Sequence, residues 1–243
     1  MGVLAFDTAT RATAVALLGQ DGMVRTARDD PAPGLRPAHT TRLLALIAGL
    51  LDGGEGWSSV DQIAVGVGPG TFTGLRIGIA TALALGRGRD LPVTGISTLS
   101  SLALTADPAA DGFDAVLAVL DARRREVFAA AWRPGVLTAA LAAGDRAAAL
   151  PVLDPAAVAP AQLGAGSAAL GRRLAVGDGA LEYREVLEAA GIVVAATDSP
   201  LHRVQPGSHA RLAAAGLGLR GDAVRPEYLR VPDAELTAQA AGR

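Results

Sequence analysis

Residues 60–88, VDQIAVGVGPGTFTGLRIGIATALALGRG, constrain this chain more than any other stretch. A strand-like apolar run, Ile63 to Val67, passes through a glycine turn, Gly66-Val67-Gly68-Pro69-Gly70, into a long helical pattern. Phe72, Leu75, Ile79 and Leu83 recur there at helical spacing. Thr71 or Thr73 stands where a hydroxyl can cap the helix. Gly74, Gly78, Ala82 and Gly86 then recur every four residues and make a stripe of almost no side chain. A glycine inside a helix costs about 1 kcal/mol relative to alanine. The stripe therefore predicts that something comes very close to the helix backbone. In membranes such a pattern lets helices touch, but Arg76 and Arg87 lie in this helix. The reading is a helix-docking surface in a soluble protein.

The rest of the sequence narrows the chemistry. All 22 basic residues are arginine and cysteine is absent. A P-loop or Schiff-base lysine, a disulfide, a thiolate zinc site and a cysteine nucleophile are thereby excluded. A net charge of −2 gives no overall basic field to hold nucleic acid. The start lacks the pattern of a signal peptide, and no apolar run is long enough to span a bilayer. The default expectation is a cytoplasmic protein with no membrane contact.

Taken in order, Val3-Leu4-Ala5-Phe6 reads as a buried strand ending at Asp7, and Ala12 to Leu18 as its returning partner after a polar turn. A third strand is expected near Met23–Ala27. Ala38 to Leu51 is helical, with Leu43, Leu44, Ile47, Leu50 and Leu51 on one face and Leu46 and Ala48 widening the apolar arc. Such a helix is expected to be buried on more than one side, and Gly53-Gly54-Glu55-Gly56 ends it. A short strand over residues 91–96 and a helix from Leu99 to about Ala106 follow. Val116 to Leu120 repeats the opening plan, an apolar run, Asp121, a polar turn and a returning strand, Val127 to Trp132. Gly164 to Ser167 could open a helix, residues 192–196 read as a strand, and Ser208 suits the N-cap of a helix running to Leu219. The paired stretches VLAFDTATRATAVALL and VLAVLDARRREVFAAAW suggest two halves on one plan.

Candidate chemistry is sparse. Asp7 ends the first strand, where α/β folds gather ligands, but an aspartate there can equally bond its own turn. The Gly66–Gly70 turn before a helix could cradle a phosphate through Gly68 and Gly70, although Pro69 removes one N–H. His39 has Arg42 and Leu43 where a second metal ligand would stand, and His202 and His209 are seven apart across Pro206-Gly207. A nucleophilic set of Ser97 or Ser100 with His39 and Asp7 has no G-x-S-x-G elbow to support it. Arg123-Arg124-Arg125 is either a solvated turn or a local RNA phosphate contact.

Several ordered blocks resemble one family. They are Val3 to Thr10, His39-Thr40-Thr41, GPGTFTGLRIG from Gly68 to Gly78, Gly95 to Leu99, Asp121-Ala122-Arg123 with Glu126-Val127, and Pro226 to Arg230. The chain resembles the TsaB (YeaZ) family over about residues 1–230, least over 134–205. The resemblance implies an actin-like, sugar-kinase-like (ASKHA) α/β fold with an N-terminal half over 1–108, a C-terminal half over 109–232 and a frayed tail over 233–243. It implies a subunit of the tRNA threonylcarbamoyladenosine machinery that is not an enzyme by itself. Such a subunit pairs with TsaD, meets the ATPase TsaE in a ternary complex, forms a homodimer when alone and reaches tRNA indirectly. TsaD carries an H-x-x-x-H metal motif on the helix equivalent to that at His39; here its second position is Leu43. No intrinsic cofactor or metal is expected, ATP and metal lying on the partner subunits.

The expected interface comprises His39, Leu43, Leu44, Ile47, Phe72, Gly74, Leu75, Gly78, Ile79, Ala82 and Gly86. On that reading Gly78→Leu abolishes pairing and leaves the monomer folded. The competing readings are an ATPase or phosphotransferase built on Asp7 and Asp121 and, more remotely, a peptidase.

Overall fold

β1 (Val3–Asp7) is buried along its whole length. A strand without polar alternation is covered on both faces, so it lies at the centre of a sheet. In the computed structural model, which describes residues 1–32, 34–52 and 56–230, β1 is antiparallel to β2 (Thr13–Leu18), and β2 to β3 (Val24–Asp29). α1 (His39–Asp52) crosses over to β4 (Gln62–Gly68), parallel to β1 and buried throughout. α2 (Phe72–Arg89) leads to β5 (Val93–Ser97), parallel to β4, and α3 (Thr98–Ala106) leaves the sheet.

The second sheet repeats the plan. β6 (Ala115–Arg123) is antiparallel to β7 (Glu126–Trp132), and after α4 (Val136–Ala143) β8 (Leu153–Val158) is antiparallel to β7. α5 (Pro160–Gly166) crosses to β9 (Arg173–Val176), parallel to β6. α6 (Asp178–Glu182) and α7 (Arg184–Ala189) lead to β10 (Val193–Val194), parallel to β9. Strand orders β5-β4-β1-β2-β3 and β10-β9-β6-β7-β8 match position for position. The weak repeat in the sequence corresponds to the hairpins β1-β2 and β6-β7.

Three apolar clusters order the layers. Leu4, Phe6, Leu43, Ile47 and Ile79 fill the space between the first sheet and α1 with α2. Leu99, Leu102, Val116, Ala118 and Leu212 join the inner faces of both sheets through α3 and the C-terminal α8 (Pro206–Ala214). Leu117, Leu163, Ala180 and Leu187 cover the outer face of the second sheet with α5, α6 and α7. Each fully buried leucine contributes about 2 kcal/mol, so the central cluster binds the halves into one core.

The last described elements return to the first sheet. α8 packs on β1 and β2, and β11 (Leu219–Arg220) pairs antiparallel with β5 at the edge of the first sheet. The end of the described chain therefore belongs to the first half, where it covers an open strand edge. The tail over 233–243, and Gly53 to Glu55 in the expected helix stop, lie outside the described residues.

Local differences have local causes. β9 has only four residues, too few to show a period. α8 begins at Pro206, before Ser208, because proline at the first helical position lacks an N–H that would be unpaired anyway. Thr71 occupies the N-cap of α2 without a side-chain bond.

Candidate functional site

The strand-end site around Asp7 is closed by the chain itself. Gly66 of β4 makes room for the carboxylate, since a Cβ there would lie 1.9 Å from Asp7 Oδ2. The Ala9 N–H donates to Oδ1 at 2.7 Å, while Thr98 Oγ1 and His209 Nε2 donate to Oδ2 at 2.9 and 3.0 Å. Burial alone would raise the Asp7 pKa, but the hydrogen bond and charge of His209, with the Ala9 and Thr98 bonds, hold it below the usual carboxylate value. An ionised Asp7 fixes Nε2 of His209 as the protonated nitrogen. On its other side His209 Nδ1 meets Ser101 Oγ at 2.7 Å. Asp7, His209 and Ser101 are all buried, Ser101 and His209 completely.

This Asp-His-Ser chain has the order of a nucleophilic triad but not its access. Ser101 Oγ is enclosed between α3 and α8, where no peptide reaches it. The set weighed from sequence, Ser97 or Ser100 with His39 and Asp7, does not form. Ser100 Oγ donates to the carbonyl of Ser97, and His39 bonds elsewhere. The pairing of His202 with His209 also fails, because His202 lies against the carbonyls of Gly177, Ala195 and Ala196. His209 is 202 residues from Asp7 in the chain, which is why sequence reasoning missed this network.

The glycine turn is likewise occupied. A Cβ on Gly70 would lie 2.5 Å from the carbonyl oxygen of Ala9, and the Thr71 N–H donates to that oxygen at 2.7 Å. Gly68, at φ +110, faces Leu75 and the carbonyl of Glu227, and the Glu227 N–H donates to Val67 at 2.8 Å. Asp7, Gly68 and Gly70 thus face their own chain, and the space where they could have cradled a phosphate is filled.

In the second half, Asp121 accepts from the Arg123 N–H at 2.8 Å and pairs with its guanidinium at 2.9 Å. Asp178 Oδ1 accepts from the Asp121 N–H at 3.0 Å. Burial first, and then the neighbouring Asp121 charge, push the Asp178 pKa up to about 6. Asp7 is the last residue of β1, whereas β6 runs on past Asp121 to Arg123, and the two aspartates bond to different neighbours. Among the described residues no three His, Cys, Asp or Glu side chains form a group able to hold a metal ion. His39 Nδ1 faces Thr13 Oγ1 at 2.8 Å, its Nε2 is buried without a partner, and burial lowers its pKa against the opposing Asp7 charge.

The glycine stripe of α2 does meet close neighbours, but they belong to the same chain. A Cβ on Gly74 would lie 1.9 Å from the Thr8 carbonyl oxygen, one on Gly78 2.4 Å from Thr8 Oγ1, and one on Gly86 2.4 Å from Val93 Cγ2. Gly74, Leu75, Gly78, Ile79, Ala82 and Gly86 are all buried in the monomer, as are His39, Leu43 and Ile47 of α1. These nine are corrected from interface to internal packing, and Gly78→Leu would disrupt the fold as well as pairing. The reason is geometric: a parallel β-α-β crossover brings its helix down on the sheet, and small residues let it settle closest. Leu44 and Phe72 keep their expected exposure, at 54% and 43%.

The outer face differs from the predicted stripe. α1 presents Thr41, Leu44, Ala45, Ala48 and Gly49; α2 presents Phe72, Arg76, Ala80, Leu83 and Ala84. Phe72 stacks on Tyr228 with centroids 5.5 Å apart, and the Arg76 guanidinium lies 3.8 Å over the Phe72 ring. Arg76 Nε also donates to the Tyr228 hydroxyl at 3.2 Å. No helix of the described residues is long and apolar enough to cross a membrane.

At the tip of β6-β7 the arginine run adopts a backbone that its composition does not suggest. Arg123, Arg124 and Arg125 have φ of 61, 56 and 64°. Each left-handed non-glycine residue costs roughly 1–2 kcal/mol. All three are exposed.

Two sheets of one strand plan, joined by a shared core, define an actin-like, sugar-kinase-like protein. A family model described as TsaD, tRNA N6-adenosine threonylcarbamoyltransferase, matches residues 35–161, just over half of the chain. The chain is 42% identical over 129 residues to the tRNA threonylcarbamoyladenosine biosynthesis protein TsaB of Escherichia coli, covering 53% of each. It is 40% identical over 127 residues to TsaB of Haemophilus influenzae, covering 52% of this chain and 51% of the other. The matched part thus spans about half the length of these curated relatives. The solved structure of YeaZ from Pseudomonas aeruginosa superposes with a TM-score of 0.72 at 28% identity, covering 94% of this chain and 99% of that one. The chain belongs to the TsaB/YeaZ family.

Proposed function

We propose that this protein is a non-catalytic pairing subunit in the formation of threonylcarbamoyladenosine in tRNA. It docks on a TsaD-type transferase in the cytoplasm and pairs with itself when that partner is absent. A TsaE-type ATPase joins the complex, and ATP and metal reside on the partner subunits. The observation that carries this reading is the outward apolar row Leu44, Phe72 and Leu83, interleaved with small residues, on two adjacent helices. Large apolar side chains about half exposed on a helical face fit a self-complementary or near-identical partner surface. The internal occupation of Asp7 and the glycine turn supports a scaffold over a phosphotransferase, and the enclosed Ser101 argues against a peptidase.

Phe72→Glu and Leu44→Glu test the face. Each removes one apolar contact worth about 1.5–3 kcal/mol, so pairing should weaken at least about tenfold per substitution. Sedimentation equilibrium of the chain alone, and mixed with the TsaD-type protein of the same organism, reads this out. The wild type should dimerise and then form a one-to-one heterodimer, with both variants impaired; the melting temperature of Leu44→Glu should be unchanged, and that of Phe72→Glu should fall only by what its Tyr228 and Arg76 contacts contribute. Variants that pair like the wild type would remove this face from the reading, and a wild type that ignores the TsaD-type protein would remove the function.

A further inference from the structure

Arg76 is exposed on the outward face of α2, one turn on from Phe72. Its guanidinium lies 3.8 Å over the Phe72 ring, and its Nε donates to the Tyr228 hydroxyl at 3.2 Å. Tyr228 in turn stacks on Phe72. These contacts fix the plane of the guanidinium fork. They leave its terminal nitrogens, Nη1 and Nη2, with no hydrogen-bond acceptor and no carboxylate among the described residues.

The helix gives this cation no support. Arg76 stands nearer the positive, N-terminal end of α2, and the first turn has no acidic residue. α2 carries Arg76, Arg87 and Arg89 and no Asp or Glu at all. α1 carries Asp52 alone, besides Arg42, which Asp29 of β3 already neutralises.

The surroundings narrow what completes the fork. Phe72 and Leu83, both about half exposed, flank it, and Ala80 follows it on the same outward face. An oriented arginine beside an aromatic ring, edged by apolar groups that exclude water, has the make-up of a protein-binding anchor. A nucleic-acid surface would instead bind through several clustered phosphate contacts. A planar fork with both terminal nitrogens open matches a carboxylate bidentately. A second copy is the poorer source of that carboxylate. Across a two-fold axis each copy meets the same surface, so self-pairing gathers more guanidinium groups than carboxylates.

We propose that the Arg76 fork, held by Phe72 and Tyr228, takes a carboxylate side chain of the TsaD-type partner and so favours that partner over a second copy of this chain. The inference rests on the pairing proposed above and adds the residue and the chemistry that choose between partners.

Sedimentation equilibrium of the whole chain, alone and with the TsaD-type protein, tests this at about 50 and 300 mM salt. Arg76→Gln should weaken the heterodimer about 30-fold, because it strands a partner carboxylate. Arg76→Lys should weaken it about tenfold, since it keeps the charge but not the bidentate fork. Tyr228→Phe keeps the ring stack and frees Nε, and should cost about threefold. Self-association of Arg76→Gln should stay within about threefold of the wild type or tighten, because a like charge leaves each side. The wild-type heterodimer should weaken as salt rises, and that dependence should flatten in Arg76→Gln. Melting temperatures within about 4 °C of the wild type show that the fold is kept. An Arg76→Gln heterodimer within about threefold of the wild type overturns the fork and leaves the pairing subunit standing. Self-association that both Arg76→Gln and Asp52→Asn weaken assigns the fork to a second copy and also overturns it. So does an Arg76→Gln loss confined to binding of a tRNA transcript. A wild type that ignores the TsaD-type protein overturns both readings.

Discussion

Gly74→Ala tests the central correction to the reading of α2. The added Cβ would lie 1.9 Å from the Thr8 carbonyl oxygen and 2.6 Å from Thr71 Oγ1. Contacts below 3.0 Å essentially do not occur for a real Cβ, so the Thr8 turn or the helix must move by about 1 Å, an overpacking that costs about 1–3 kcal/mol. Movement there also weakens the 2.7 Å hydrogen bond from Thr8 Oγ1 to the Gly74 carbonyl, worth about 1 kcal/mol. Alanine returns at most about 1 kcal/mol of helix propensity. The net expectation is a loss of about 1–3 kcal/mol, lowering the melting temperature by about 2–12 °C for a chain of this size. Gly88→Ala, in the same helix with nothing within 4 Å of its would-be Cβ, is the control. It should be neutral or stabilising by up to about 1 kcal/mol. Urea unfolding followed by circular dichroism, with unchanged m-values, gives both numbers. If Gly74→Ala is as stable as Gly88→Ala but loses self-association, the stripe faces a partner and the packing argument is wrong.

Two further predictions concern buried charge. The folded Asp178 carboxyl keeps its proton to about pH 6, whereas the unfolded one releases it near 3.8. Between those values the unfolded state binds fewer protons, so stability should decline as pH rises through the window and stay lower above it. Asp178→Asn keeps an acceptor for the Asp121 N–H, so it should flatten that slope and add as much as about 3 kcal/mol at neutral pH; urea midpoints at about pH 4, 6 and 7.5 would show no such flattening if the site is wet. Arg173 is buried, donating to the carbonyls of Gly164, Ala190 and Gly191 and to Ser167 Oγ. Arg173→Met should cost about 2–4 kcal/mol by orphaning acceptors at the ends of α5 and α7; a melting temperature within about 2 °C of the wild type would refute this.

Much of the scaffold is legible in the sequence because its signals are local. The buried run Val3 to Phe6, the alternation of apolar segments with turns, and the helical period from Phe72 to Leu83 each depend on residues a few positions apart. The resemblance between the two opening hairpins likewise survives in the sequence. Short elements without a period, such as β9, do not show themselves.

The sites were legible only in part. Spacing alone established that the Gly74–Gly86 stripe must meet something close, since repeated helical glycine has no other physical return. It could not say what, because Thr8 lies 66 residues from Gly74 and reaches it only once β1 and β4 are paired. Asp7 was marked as a strand-end carboxylate by its place after an apolar run. That its oxygens bond Ala9, Thr98 and His209 depends on α8 returning to the first sheet across the whole second half. Composition supplied three adjacent arginines; only the hairpin register forces them into left-handed backbone. The sequence by itself determined the strand and helix periods, the absence of lysine and cysteine chemistry, and where small residues must sit. Tertiary structure decided which groups are used up inside the chain and which face outward, because that depends on contacts between residues far apart in sequence.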